Sequence, residues 1–137
     1  IEKAYPVENT LKYIKKAKKI IICPSNPIVS IGTIIQVRGI KKALSLVKNK
    51  VYAISPIIGG APVKGPAGKL MNSIGLEVSC LGVANYYKEF IGNFIIDNQD
   101  SNFKPKVEKL GIKTYCYDTL MINLRKKIEL AQFVINL

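Results

Sequence analysis

Ile20-Ile21-Ile22-Cys23-Pro24-Ser25-Asn26-Pro27-Ile28-Val29-Ser30-Ile31-Gly32 is the stretch that decides the fold. Its short β-branched run predicts a buried strand, and the run stops in a loop of Pro, Ser, Asn and Gly. Pro24 and Pro27 each fix φ near about −65° and stiffen that loop. Ser25, Asn26 and Ser30 then offer hydroxyl and amide groups at the carboxyl end of the strand, where open α/β sheets bind ligands. With Pro27 and Gly32 shaping the backbone, the loop's side chains and N–H groups suit phosphate oxygens, helped by the dipole of a following helix. The competing reading is a well-capped turn from strand to helix.

On both sides of this stretch, helical and extended patterns alternate. Leu11, Ile14 and Ala17 recur at helical spacing over residues 8–18, and a strand is predicted at 19–23. Ile40, Ala43, Leu44 and Val47 predict a helix over 39–48, followed by a strand at 51–55. Pro66 opens a helix running through Met71, with Gly75 just beyond its end. Further strands are predicted at 77–82, 93–97 and 112–116, and helices at 85–91, 104–110 and from Thr119 to Val134. Such alternation implies parallel βαβ units. The expected fold is α/β: a Rossmann-like parallel sheet with helices on both faces, three layers deep. Residues 1–137 are expected to form part of a larger single domain.

A second loop stands out at Ser55-Pro56-Ile57-Ile58-Gly59-Gly60 with Lys64-Gly65-Pro66. Gly59, Gly60 and Gly65 permit close backbone approach, and Lys64 brings a charge to an anion. A Walker-type phosphate loop does not fit: Val63 stands where its first Gly belongs, and Leu70 replaces the Ser or Thr. Asp97 and Asp100 flank a strand end and read first as solvated turn residues, with Asp97 a possible ligand for Mg²⁺ or a hydroxyl. Lys12, Lys15, Lys16 and Lys19 read as a solvated helix face. Tyr86 and Tyr87 read as helix packing.

Composition narrows the chemistry. Histidine is absent, which removes the usual general base and every Ser–His or Cys–His nucleophile pair. The net charge is +12, yet all 21 basic residues except Arg38 and Arg125 are Lys. Readers of nucleic acid favour Arg forks, so this balance fits an anionic small ligand at least as well. Cys23, Cys80 and Cys116 are scattered over three predicted strands, which implies buried thiols in a reducing compartment, not disulfides or zinc. No apolar run reaches membrane-spanning length, and a cytoplasmic location is expected. The chain opens at Ile1 in mid-pattern, which reads as a fragment or processed product.

Taken with Ile54-Ser55-Pro56-Ile57-Ile58-Gly59-Gly60, Val63-Lys64-Gly65-Pro66-Ala67, Gly75-Leu76-Glu77-Val78-Ser79, Val83-Ala84-Asn85-Tyr86-Tyr87 and Phe94-Ile95-Ile96-Asp97, the opening stretch resembles the 2-phospho-L-lactate transferases. These enzymes make the deazaflavin coenzyme F(420). Asp118-Thr119-Leu120-Met121, Lys127 and Leu130-Ala131 continue the likeness to the end of the chain. It is similar to the carboxyl half of that family alone. Thr33 departs from the Pro expected after Ser-Ile-Gly, and Gly68 stands where a more polar residue is common.

The resemblance implies a cytoplasmic archaeal enzyme. It would transfer a phospholactyl group from guanosine-diphosphate-linked lactate to a deazaflavin alcohol, releasing GMP with help from Mg²⁺. It implies that Ser25, Asn26, Pro27, Ser30, Gly32, Gly59, Gly60, Lys64 and Gly65 cradle the nucleotide diphosphate, that Asp97 contacts metal or hydroxyl, and that the chain is inactive alone. A homo-oligomer, a dimer, is expected, without nucleic acid or membrane partners. Two alternatives stand beside it. One is a non-enzymatic regulator of the same superfamily that binds nucleotide sugars or dinucleotides; the other is a basic nucleic-acid-binding module.

Overall fold

Four strands lie side by side, all parallel, in the computed structural model, which describes residues 4–137. They are β1 (Ile20–Ile22), β2 (Val51–Ile54), β5 (Asn93–Asp97) and β6 (Lys113–Tyr117), in the order β1-β2-β5-β6. Their register pairs Ile22 with Ala53, Ile54 with Ile95, and Asp97 with Tyr117. The expected α/β fold is the one observed. Because the strands run in parallel, all four carboxyl ends reach the same edge of the sheet, and each empties into a different loop there.

Alternation along the strands divides the sheet into two faces. Val51, Ala53, Phe94 and Ile96 point into the larger core, while Ile54 and Ile95 point into the smaller one. The larger core is roofed by helices contributed by the connections. These are α1 (Thr10–Lys16), α2 (Gly32–Ile35), α3 (Ile40–Leu46), α4 (Ala67–Ser73), α5 (Cys80–Tyr87) and α6 (Lys104–Glu108). Phe94, Ile95 and Ile96 are fully buried, each contributing roughly 1.5–3 kcal/mol through burial. The opposite face is covered by α7 (Leu124–Asn136), through Leu130, Phe133 and Val134. Phe133 stacks on Tyr117 with ring centroids 4.0 Å apart.

Between β2 and α4 the chain forms a small antiparallel hairpin, β3 (Ile57–Ile58) and β4 (Ala61–Pro62). Gly59 and Gly60 make its turn with φ of 58° and 77°, which L side chains rarely adopt.

Several expectations give way to the structure. The strand expected at 77–82 and the helix expected at 85–91 are replaced by one helix, α5. Ser79 Oγ accepts the Gly82 N–H at 3.0 Å and caps it. A Cβ on Gly82 would lie 1.9 Å from the Glu77 carbonyl oxygen, so the turn before α5 is packed against its first coil. The last helix starts at Leu124, not Thr119, because Asn123 Oδ1 accepts the Lys126 N–H and sets the boundary. The cysteines do not share one environment: Cys80 is buried in α5, Cys116 lies half-buried in β6, and Cys23 is exposed just beyond β1. Burial pushes the Cys80 thiol up to about 12, which leaves it protonated and unreactive. Lys19 is no member of a solvated helix face. It lies beyond α1, and its Nζ donates to Val134 O at 2.9 Å and Ile135 O at 2.8 Å, closing the last turn of α7. Among the described residues no helix is long and apolar enough to cross a membrane.

Candidate functional site

The carboxyl edge of the sheet holds a cleft of about 680 Å³. Three segments wall it. The loop after β1 gives Pro24, Ser25, Asn26, Val29 and Ser30; residues 55–67 give Ser55, Lys64 and Gly65 among others; the segment after β6 gives Thr119 to Ile122, and α7 adds Lys127. The two loops singled out in the sequence thus meet across one cavity, as the rule for open α/β sheets anticipates.

Electrostatics favour an anion. Lys64 and Lys127 are the charged residues in the cleft wall, with no carboxylate beside them among the described residues. Neither Lys64 nor Lys127 takes part in an ion pair recorded among those residues, whereas Lys126 is engaged by Asp118 at 2.8 Å and Glu129 at 3.4 Å. Val63, Leu120, Met121 and Ile122 add an exposed apolar rim against which a ring can lie. A site with two cations, two serine hydroxyls and such a rim accepts a phosphorylated ligand carrying a flat base.

The loop after β1 works differently from the expectation. Residues Pro27–Ile31 form a single wide turn of π-helix, with Pro27 buried at its start. Asn26 Oδ1 accepts the N–H groups of Ile28 at 2.9 Å and Val29 at 3.2 Å, while Asn26 O accepts those of Ser30 and Ile31. The backbone N–H groups of Ile28 to Ile31 are therefore engaged within the loop itself. What it offers a ligand is the Ser25 and Ser30 hydroxyls and the Asn26 Nδ2.

Other sequence-predicted residues fall outside the wall. Gly32 is buried, and a Cβ there would meet Pro27 O at 2.9 Å and Tyr86 Oη at 3.3 Å, so it serves packing between the loop and α5. Gly59 and Gly60 sit at the exposed tip of the hairpin and act on the cleft through its shape. Gly65, with φ of 73° and open space around it, does line the cleft.

Asp97 and Asp100 are buried, at 4% and 2% exposure, and are not solvated turn residues. Asp97 Oδ1 accepts the Gln99 N–H at 3.0 Å, and its Oδ2 accepts both the N–H and the hydroxyl of Thr119 at 2.9 and 3.1 Å. Both oxygens of Asp100 accept the Gly59 N–H, at 3.1 and 3.2 Å. Burial, with the Asp97 charge nearby, raises the Asp100 carboxyl above its ordinary range, and the Gly59 N–H works against that rise. These carboxylates are occupied, and among the described residues no three His, Cys, Asp or Glu side chains come together as a metal cage. Mg²⁺ is commonly held by one or two carboxylates together with substrate phosphates, and Asp97 is the residue of this pair nearest the segment that begins at Thr119.

The segment 119–122 and Lys127 escaped sequence reasoning because Thr119–Val134 read as an uninterrupted apolar helix. The signal present was Asn123, a strong cap residue immediately before Leu124.

A second, more open cleft of about 580 Å³ lies by α3, lined in part by Arg38, Lys41 and Lys42. There Lys41 pairs with Glu89, and Arg38 donates to Tyr5 Oη at 2.8 Å. It is set away from the strand ends.

The family model described as 2-phospho-L-lactate transferase CofD matches residues 1–131. The chain belongs to the 2-phospho-L-lactate transferase family. Curated relatives agree. A 2-phospho-L-lactate transferase of Methanosarcina acetivorans is 46% identical over 137 residues, covering 100% of this chain and 44% of the relative. That of Methanosarcina barkeri is 49% identical over 127 residues, covering 93% and 40%. That of Methanothermobacter thermautotrophicus is 42% identical over 130 residues, covering 95% and 42%. The chain thus spans well under half the length of these transferases. The Lys64 and Lys127 cleft is a feature of this stretch of a 2-phospho-L-lactate transferase family member.

Proposed function

We propose that this chain is the carboxyl-terminal part of a transferase. The whole protein moves a phospholactyl group from guanosine-diphosphate-linked lactate to a deazaflavin alcohol and releases GMP. The observation that carries the reading is the cleft at the carboxyl edge of the sheet, with two lysines and no acid in its described wall. Its support is the family membership and the 44% coverage of the longer relative. An open flank accompanies these: among the described residues β1 pairs with β2 alone, and Ile21 is 39% exposed beside it.

In this reaction the alcohol oxygen attacks the phosphorus that bears the lactyl group. The bond from that phosphorus to the oxygen of the GMP phosphate breaks, and the alcohol proton is released. Charge builds on the bridging and terminal oxygens as the bond loosens, and catalysis rests on alignment and charge neutralisation. Lys64 and Lys127 face the diphosphate from opposite walls and neutralise it. Ser25 and Ser30 donate hydroxyl hydrogen bonds to its oxygens. Leu120, Met121 and Ile122 pack on the guanine or the deazaflavin ring. The deazaflavin is held by residues outside this chain, while the buried Asp97 and Asp100 carboxylates are engaged with this chain's own backbone. Lacking those residues, the 137-residue chain alone is inactive.

The test is GDP binding by calorimetry to the full-length protein that carries this sequence. Saturable binding with one site and weak salt dependence is expected. Lys64→Ala and Lys127→Ala are each expected to weaken it about 10- to 100-fold, the scale of a lost charge-assisted contact. Non-saturating binding that collapses steeply with added salt would instead mark a basic nucleic-acid module.

A further inference from the structure

Asp97 and Asp100 are bonded to the two segments that lead into opposite parts of the cleft lining. From one short segment at the end of β5, Asp97 grips Thr119 twice, at 2.9 and 3.1 Å, and Asp100 grips Gly59 with both oxygens. Thr119 begins the wall that runs to Ile122. Gly59 is the tip of the β3–β4 hairpin, whose return strand leads directly into Val63, Lys64 and Gly65. Neither carboxylate lines the cleft itself.

Two buried acids three residues apart are an expensive arrangement. The sheet does not require them: the hairpin tip and the segment after β6 lie outside the strand ladders. What they share is the cleft. Asp97 fixes the backbone N–H that begins one wall, and Asp100 fixes the N–H at the hairpin tip that leads into the other, so the pair is placed to set the distance between the walls.

We propose that Asp97 and Asp100 are positioning residues: a paired carboxylate brace that holds the Lys64 wall and the Thr119–Ile122 wall at the spacing a nucleoside diphosphate needs. This rests on the reading of the cleft as a diphosphate site. Asp100 acts through the hairpin and hence through Lys64. Asp97 acts through Thr119 and leaves Lys64 untouched.

That division gives a double-variant test with GDP as the probe, in the full-length protein carrying this sequence. Asp100→Ala is expected to weaken GDP binding about tenfold, the scale of a small misplacement of a binding group. Combined with Lys64→Ala, it should weaken binding no further than Lys64→Ala alone. Asp97→Ala combined with Lys64→Ala should multiply the two losses. Asp100→Asn keeps an acceptor for the Gly59 N–H at the same reach and should recover most of the affinity. Asp100→Glu keeps the charge but lengthens the arm, and should not. In turnover, the loss should fall more on the KM of the guanosine substrate than on kcat.

If Asp100→Ala does not fold, the comparison of Asn with Glu decides the matter. Equal GDP affinity in the two, or fully multiplicative losses for Asp100→Ala with Lys64→Ala, overturns the brace while leaving the diphosphate site standing. An unaltered protein that does not bind GDP overturns both.

Discussion

Asn26 and Ser30 stand four residues apart in one loop, yet their substitution should be felt in different measurements. Asn26 holds the loop's N–H groups, so Asn26→Ala is expected to cost about 1 kcal/mol of stability in denaturant unfolding, the usual worth of a side-chain cap. Ser30→Ala should leave stability nearly unchanged and raise the KM of the nucleotide substrate. Equal unfolding midpoints for Asn26→Ala and the unaltered protein would contradict the capping role. Asp100 gives a second test at this scale, through pH. Its carboxyl is raised above its ordinary 3.8 by burial first, with the Asp97 charge adding and the Gly59 N–H opposing; the Cys80 thiol is also close enough to feel it. The folded state therefore binds this proton more tightly than the unfolded state does. Charged Asp100 costs stability above its folded pKa, and that cost is relieved as pH falls through the folded pKa toward 3.8. Asp100→Asn should accordingly melt higher than the unaltered protein at pH 7, with the gap closing toward pH 4. A gap that widens as pH falls would contradict it.

Elements follow local signals where those signals are unmixed. β1, β2, β5 and β6 were legible as strands because each is a short apolar run bounded by turn residues, and parallel pairing followed from the helices between them. The region 77–82 was not legible, because Glu77-Val78-Ser79-Cys80-Leu81 alternates like a strand while Ser79 caps a helix. Tertiary packing of Gly82 on the Glu77 carbonyl decides between the two patterns, and no periodicity encodes it. Gly82→Ala is thus expected to destabilise by about 2 kcal/mol or more, in the range of overpacking, and thermal or denaturant unfolding reads it directly. A neutral Gly82→Ala would mean that the turn before α5 shifts freely. The candidate site was half legible for a similar reason. Ser25, Asn26, Ser30, Lys64 and Gly65 lie in loops whose composition marks them. Thr119 to Ile122 and Lys127 look like the apolar and basic faces of a helix, and they join the site only because Asn123 cuts that helix short.

At the scale of the whole molecule, the two faces of the sheet are unequal. Among the described residues six helices roof one face while α7 alone covers the other, and Leu124, Ile128 and Ile135, on a different side of α7 from its packed Leu130 and Val134, are exposed at 71%, 47% and 62%. Lys19, just before β1, ties the last turn of α7 to that edge of the sheet through the Val134 and Ile135 carbonyls. The cleft lies at the carboxyl end of the same sheet, and the net charge of +12 draws anions toward it without defining where they sit. Position is defined by the parallel sheet, which brings the ends of β1, β2 and β6 to one edge where Lys64 and Lys127 line the same cleft. The direct measurement is a crystal structure of the full-length protein soaked with GDP. The account predicts the diphosphate between the Lys64 and Lys127 ammonium groups, with a phosphate oxygen accepting from Ser25 or Ser30. Well-ordered GDP elsewhere on the protein, with those two lysines free of it, would contradict the account.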